Sequence, residues 1–229
     1  MTRYKLLEPS ALLVRLALLI SISAACGCTI IGWVWNTVTP PEKIKPRYKI
    51  PKSKSGQLLI LLEESEHLVA HPGAKTHLYR QLKEEFIKNK IVESVVDRNR
   101  FVIAQLANPA FHSLTAVEKG KSVDADIVLS LEIKRFTLKE KLQEQWDGKC
   151  ELRIKLFDVA EDKILWPDEL SIEGEPVTCI VKPEGNRSVD PDYHKKFTRK
   201  VINEIADKVA KLFYEYEKDT RGKLSGEES

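Results

Sequence analysis

The sequence predicts an α/β fold: a two-layer sandwich whose mixed sheet contains an antiparallel hairpin, with helices on one face and a long C-terminal helix. Three observations predict it. Gln57-Leu58-Leu59-Ile60-Leu61-Leu62-Glu63 is a continuous apolar run of strand length after Gly56, as a strand buried on both faces requires. Cys150 to Val159 alternates apolar with polar residues, then a tight turn at Ala160-Glu161-Asp162 leads into Lys163-Ile164-Leu165-Trp166; this is a hairpin with one wet face. Phe197, Val201, Ile205, Val209, Leu212, Phe213 and Tyr216 mark one stripe down a long helix, with Lys, Arg, Asp and Glu between them.

The remaining elements follow in chain order. Ala74 to Lys90 has helical spacing, with Leu78, Leu82, Phe86 and Ile87 on one side and Lys83, Glu84, Glu85 and Lys88 on the other. Ile91 to Val96 reads as a second strand, and Asn99 to Ala107 as a second helix stopped near Asn108-Pro109. Thr115 to Gly120 is a short third helix. Asp126 to Phe136 begins as a buried strand and continues with alternation. Asp190-Pro191 supplies a capping residue and a proline at the first helical position, so the final helix is expected to start there. The expected order is β-α-β-α-β-β-β-α in a domain over residues 56–218, followed by a polar, disordered tail over 219–229.

Residues 1–55 read as targeting and tether. The net charge of the 229-residue chain is +3. Arg3, Lys5, Glu8 and Arg15 sum to +2 of that, so the rest is nearly neutral. A near-neutral domain lacks the basic face that phosphate neutralisation demands, and no nucleic-acid partner is expected. After Arg15 comes the short apolar core Leu16-Ala17-Leu18-Leu19-Ile20-Ser21-Ile22-Ser23, then Ala24-Ala25-Cys26-Gly27-Cys28. A charged start, an apolar core and small residues before a break are the layout of a secretory signal over residues 1–25. The next segment, 26–55, carries Pro40, Pro41, Pro46 and Pro51 with Lys43, Lys45, Arg47, Lys49, Lys52 and Lys54. It is an extended, basic spacer.

Ser23-Ala24-Ala25-Cys26 resembles a bacterial lipobox, and Ala25-Cys26-Gly27-Cys28 fits in the same way. The resemblance implies a signal peptide removed before a cysteine that carries lipid. Cys26 ends the cleaner apolar stretch, with Cys28 as the alternative acceptor. Gly27, rather than Asp, after Cys26 implies the outer membrane, with the domain facing the periplasm. The competing reading is an uncleaved single-pass helix over residues 11–35, flanked by Trp33 and Trp35 and followed by the basic run.

A second resemblance lies in the domain. Val123-Asp124-Ala125-Asp126-Ile127-Val128-Leu129 is similar to a "Gly-Ala-Asp, then apolar strand" segment. It is found in small α/β domains of bacterial envelope proteins: the N-terminal domain of the Tol-system translocation protein, penicillin-binding-protein activator lipoproteins and curli-secretion-type lipoproteins. Leu156-Phe157-Asp158-Val159 followed by Lys163-Ile164-Leu165-Trp166 is similar to their "apolar-Asp-x-x-x-Gly-x-apolar-Trp" hairpin. This chain departs from the pattern with Asp124 in place of the first Gly and no Gly in the hairpin turn. The resemblance implies a fold more than a function.

The chain offers little chemistry. G-x-S-x-G, P-loop and G-x-G-x-x-G motifs are absent from the sequence. His67 and His71 are spaced i, i+4 but run into His71-Pro72-Gly73, which is turn chemistry, so no metal is expected. Asp124 and Asp126 could share a face as a carboxylate pair, though a strand-entry turn is the plainer reading. Asp158 fixes the hairpin. Trp146 is expected in a loop beside Asp147-Gly148. Cys150 and Cys179 are a possible disulfide, but simple hairpin register places Cys150 opposite the region of Ile172. No cofactor is expected.

The expected function is a non-catalytic docking subunit of an envelope assembly or transport complex, held to membrane lipid by an acylated cysteine and bound to an envelope protein partner. A membrane-tethered enzyme or small-ligand binder is the alternative. A secretion-pore subunit would need long amphipathic hairpins, and Phe136 to Trp146 is charged and does not alternate cleanly.

Overall fold

The computed structural model describes residues 42–63, 73–141, 145–168, 171, 173–182 and 192–218. Cys26, Cys28, the signal segment, His67 and His71 lie outside them. Two compact units are present. In the first, 1–43 with 217–229, the Lys218 N–H donates to the Glu42 carbonyl at 2.8 Å and the two side chains form an ion pair at 2.7 Å. The second, 44–216, holds the α/β domain.

Among the described residues its sheet has six strands: β1 Gln57–Glu63, β2 Ser94–Val95, β3 Ile127–Lys141, β4 Gln145–Asp158, β5 Lys163–Trp166 and β6 Glu175–Val181. The order is β2-β1-β3-β4-β5, with β6 also paired to β4. β1 runs parallel to β2 and β3, whereas β4 is antiparallel to β3, β5 and β6. The helices are α1 Ala74–Lys88, α2 Arg98–Ala107, α3 Ala116–Lys121 and α4 Tyr193–Lys211. The α/β class, mixed sheet and long final helix stand as the sequence predicts.

Residue parity decides which side of the sheet is thick. Leu58 and Ile60 of β1, Ile127, Leu129, Leu131 and Ile133 of β3, and Leu152, Ile154 and Leu156 of β4 face α1 and α4. α1 buries Ala74, Leu78, Leu82 and Phe86 at i, i+4 spacing. α4 buries Phe197, Val201, Ile202, Ile205, Ala206, Val209 and Ala210. Each large aliphatic or aromatic side chain so removed from water contributes about 1.5–3 kcal/mol. Gly148 permits the close approach of β4 to α4: a Cβ there would lie 2.3 Å from Val201 Cγ2.

The helical layer on one face is therefore α1 with α4. α2 and α3 add a partial layer on the other, over Leu59, Leu61, Val96, Val123, Ala125, Val128 and Val159. Beyond that cover the second face turns polar: Ser130 donates to Glu63 at 2.7 Å, and Glu132 and Lys134 form an ion pair.

Several boundaries differ from the sequence reading. β3 continues to Lys141 and β4 starts at Gln145, so the stretch from Phe136 that fails to alternate is one long hairpin. The cause is a bulge. Ile133 pairs with Leu152 and Arg135 with Glu151, leaving Lys134 extra; parity flips and Phe136 returns to the core at 4% exposure. Trp146 accordingly stands on β4, opposite Glu140, rather than in a loop. β6 has no counterpart in the predicted order, because exposed Ile180 and Pro176 blur its alternation. α4 begins at Tyr193 with Asp192 as N-cap, later than Asp190-Pro191 predicts; those two residues lie outside the described set. Within the stretch expected as tether, the Tyr48 N–H donates to the Leu212 carbonyl at 3.0 Å and Ile50 is 6% exposed in the core.

The two departures from the envelope-domain pattern share one explanation. Asp124 and Asp162 have φ of 50° and 52°, the left-handed region where glycine is the default and aspartate is among the tolerated substitutes. Each fills a position that glycine holds in the pattern.

Candidate functional site

Three places carry the side chains that could do something: the outward face of α2, the cleft between α1 and α4, and the cysteine pair on β4 and β6.

α2 is fixed at its start by Asp97, whose carboxylate accepts the Asn99 N–H at 2.7 Å. It stops at Asn108, which is extended before Pro109. Phe101 meets Phe111 edge-on at 5.1 Å and, with Ala104, packs on the second face of the sheet. Arg100 pairs with Asp124, and Arg98 donates to Thr76 at 2.6 Å. The opposite side of the helix is apolar and wet: Val102 is 39%, Ile103 66% and Leu106 79% exposed. A groove beside it is lined by Leu61, Leu62, Lys75, Tyr79, Arg98 and Gln105. The sequence carried the signal, since Val102, Ile103 and Leu106 are on the side away from Phe101 and Ala104 at 100° per residue; reading only the helix boundaries missed it.

α1 and α4 run parallel, with His77 beside Asn203 and Phe86 beside Phe213. Near their N-terminal ends lies a cleft of about 560 Å³, walled by Thr76, His77 and Arg80 from α1 and by Lys195, Thr198 and Arg199 from α4. Among the described residues, no carboxylate lines it. His77 shares a hydrogen bond of 2.9 Å with Asn203 through Nε2, and its Nδ1 lies 2.7 Å from the Arg80 guanidinium. Arg80 has no acceptor lone pair, so it donates, Nδ1 accepts, and the imidazole is neutral with its proton on Nε2. Burial, then the neighbouring Arg80 and Arg199 cations, hold this imidazole below the usual histidine range, against the pull of Asn203.

Cys150 stands directly opposite Cys179 in the β4–β6 register, which corrects the expectation that it faces the region of Ile172. β6 pairs alongside the inner part of β4, while β5 takes the end nearest the turn, so hairpin counting through β5 gives the wrong partner. Both residues are free thiols, 1% and 0% exposed. Burial, with the facing thiol adding to it, pushes Cys150 up to about 12, and burial pushes Cys179 to about 11 against the pull of Lys208.

The carboxylates singled out by sequence serve the fold. Asp126 accepts the Gln57 N–H at 2.6 Å, and Asp124 pairs with Arg100, so the two do not converge on a common point. Asp158 is 3% exposed, accepts the Glu161 N–H at 2.8 Å across the β4–β5 turn and pairs with Lys54. Burial alone would raise the Asp158 carboxyl; Lys54 and the backbone donors of the turn outweigh it and hold the group below the usual range. Among the described residues, no group of three or more His, Cys, Asp or Glu could hold a metal ion, and no helix is long and apolar enough to cross a membrane.

The chain matches no protein-family model and no curated protein. Solved structures to which the chain is similar include bacterial lipoproteins. The lipoprotein GNA1162 from Neisseria meningitidis aligns with a TM-score of 0.37 at 14% identity, over 67% of this chain and 99% of that one. PelC from Paraburkholderia phytofirmans, described as a dodecamer, aligns with a TM-score of 0.41 at 12% identity, over 77% of this chain and 99% of that one. TolB from Acinetobacter baumannii aligns with a TM-score of 0.27 at 13% identity, over 55% of this chain and 24% of that one. At such scores and identities the likenesses transfer no residue role and no activity to this chain.

Proposed function

We propose that this protein is a bacterial envelope lipoprotein that acts as a non-catalytic docking subunit, anchored by lipid on Cys26 (Cys28 in the alternative) and binding an envelope protein through the outward face of α2. The anchor rests on the charged start, apolar core and small residues before Cys26. The outer-membrane, periplasm-facing location rests on Gly27 following that cysteine.

The observation that carries the docking role is the stripe of Val102, Ile103 and Leu106, with Leu106 79% exposed on a helix that has no buried residue. Single exposed apolar side chains are ordinary, but adjacent ones on a rigid helix face are what an apolar partner patch covers. Lys75 and Arg98 border the stripe, so the complementary surface is apolar with an acidic rim.

Affinity capture from detergent-solubilised envelopes tests this, with wild type beside an Ile103→Glu, Leu106→Glu variant. One or more proteins retained by wild type and lost from the variant is the expected result; identical recoveries refute the α2 face as the docking surface. Metabolic labelling with a clickable fatty acid in wild type, Cys26→Ala and Cys28→Ala tests the anchor separately. Label absent from wild type refutes lipidation and returns the uncleaved helix.

A further inference from the structure

We infer that the cleft between α1 and α4 is a binding site for a phosphate group, held by Arg80, Lys195 and Arg199 with Thr76 and Thr198 beside them. The argument begins with charge. The whole chain has a formal net charge of +3, yet this one cleft gathers Arg80, Lys195 and Arg199, with no carboxylate among the described residues of its wall. Among the described residues, neither Lys195 nor Arg199 forms an ion pair that would spend its charge internally. Arg80 pairs with Glu84 at 3.9 Å, between two largely exposed side chains, a contact of little strength.

Helix stability does not account for the arrangement. After the Asp192 N-cap and Tyr193, α4 runs His194-Lys195-Lys196 and continues to Arg199-Lys200, with no acidic residue in its first turn. Cations there oppose the positive end of the helix dipole, which favours carboxylates. Nor does the core need them, because Lys195 and Arg199 are exposed. An anion seated between the helices offsets that repulsion at Lys195, in the first turn of α4, and pairs with Arg199 and Arg80 beyond it.

The cleft also has a fixed donor. The neutral His77 ring is held on one side by Asn203 and accepts from Arg80 on the other, so it orients the Arg80 guanidinium at the wall. A planar guanidinium held in this way presents paired N–H donors to two oxygens of one phosphate. Arg199 approaches from the facing helix, Lys195 one turn earlier, and a volume of about 560 Å³ is within the range of small-ligand sites. Ala74 and Ile202 supply an apolar floor, which suits a phosphate carried on an organic residue. A phosphoglycerol lipid headgroup and a soluble phosphate ester share this chemistry.

The site is independent of the docking role proposed for α2 and of the mode of anchoring. The test uses the full chain in phosphatidylcholine nanodiscs and follows the His77 imidazole proton resonances by NMR. One arm adds inorganic phosphate or glycerol 3-phosphate; the other replaces a quarter of the phosphatidylcholine by phosphatidylglycerol, without soluble phosphate. A saturable shift in either arm is expected, weakened roughly tenfold in Lys195→Gln, Arg199→Gln. It should be unchanged in Lys88→Gln, Lys90→Gln, which removes equal charge from exposed positions at the far end of α1. A response to phosphatidylglycerol alone makes the ligand a headgroup; a response to glycerol 3-phosphate alone makes it a soluble ester. No response in either arm, or equal weakening by both double variants, overturns the proposal.

Discussion

α4 and α2 are both amphipathic helices on the same sheet, yet they solve opposite problems. α4 has 19 residues, seven of them buried, and its charges all look outward. α2 has 10 residues and buries none fully, although Phe101, Val102, Ile103, Ala104, Leu106 and Ala107 make it the more apolar in composition. Burial here follows the face of the sheet rather than hydrophobicity. The α1–α4 side receives the long rows from β1, β3 and β4, whereas the α2 side receives only a few residues before the sheet turns to Ser130, Glu132 and Lys134. A helix with apolar residues left over after packing has them available for something else.

The largest expected effect tests that contrast directly. Leu82→Ala empties a fully buried position of α1 and should cost about 2–5 kcal/mol, seen as a lower urea midpoint at unchanged slope. Leu106→Ala removes the same atoms from α2 and should stay within about 0.5 kcal/mol of wild type. Equal losses would break the comparison.

The cysteine pair gives the next largest effect and sharpens the thick side. Directly opposed antiparallel residues have Cα separations of about 4.5–5.5 Å, inside the range a disulfide spans. Closing the loop of about 30 residues between Cys150 and Cys179 would stabilise the domain by about 3–4 kcal/mol in the chain-entropy account. Thiols pushed to about 12 and about 11 hold almost no thiolate at neutral pH, and the thiolate is the reactive form. Oxidation should therefore be fast in the unfolded chain and slow in the native one. Refolding with oxidised glutathione, followed by mass spectrometry and denaturation, measures both; a bond that forms as fast in the folded protein contradicts the depth of burial.

A smaller effect is confined to acid. Asp158 is held below its unfolded value by Lys54 and the turn N–H donors. A carboxyl lowered on folding adds stability above its unfolded pKa, near 3.9, and loses it as pH falls through the folded value. Stability should thus decline below about pH 4. Lys54→Met removes the one charged partner and leaves the burial and the turn donors, so its acid unfolding midpoint should move to higher pH. An unmoved midpoint in circular dichroism titrations would show that Glu161 and its turn suffice.

The thick side was legible from sequence because its signals are periodic: Leu78, Leu82 and Phe86, and the stripe from Phe197 to Phe213, name the buried faces of α1 and α4 in advance. The hairpin extension was not, because one extra residue at Lys134 inverts parity and no local composition announces a bulge. The Cys150–Cys179 pairing was illegible for a related reason. Which strand takes the inner stretch of β4 is settled by tertiary packing, not by counting from the turn. The cleft lay between these cases: the basic start of α4 is plain in Lys195, Lys196, Arg199 and Lys200, but its meeting with Arg80 and His77 depends on α1 running parallel to it. Asp124 and Asp162 show that a departure from a motif can be conservative in backbone terms, since both hold the left-handed geometry.

The smallest expected effect on stability is also the one that separates a docking helix from a merely untidy one. Leu106→Glu places a carboxylate where the side chain is 79% exposed, so no charge is buried and no cavity opens. Its cost should be within about 0.5 kcal/mol, including the slight penalty of an acid near the C-terminal end of a helix. If Leu106 and Ile103 are surplus apolar surface, the change should leave envelope association untouched. If they are a contact, association should fall while urea and thermal midpoints hold. A Leu106→Glu protein that loses a kilocalorie or more would mean that α2 shelters the second face more than its exposure indicates. The contrast between the two helices would then be one of degree.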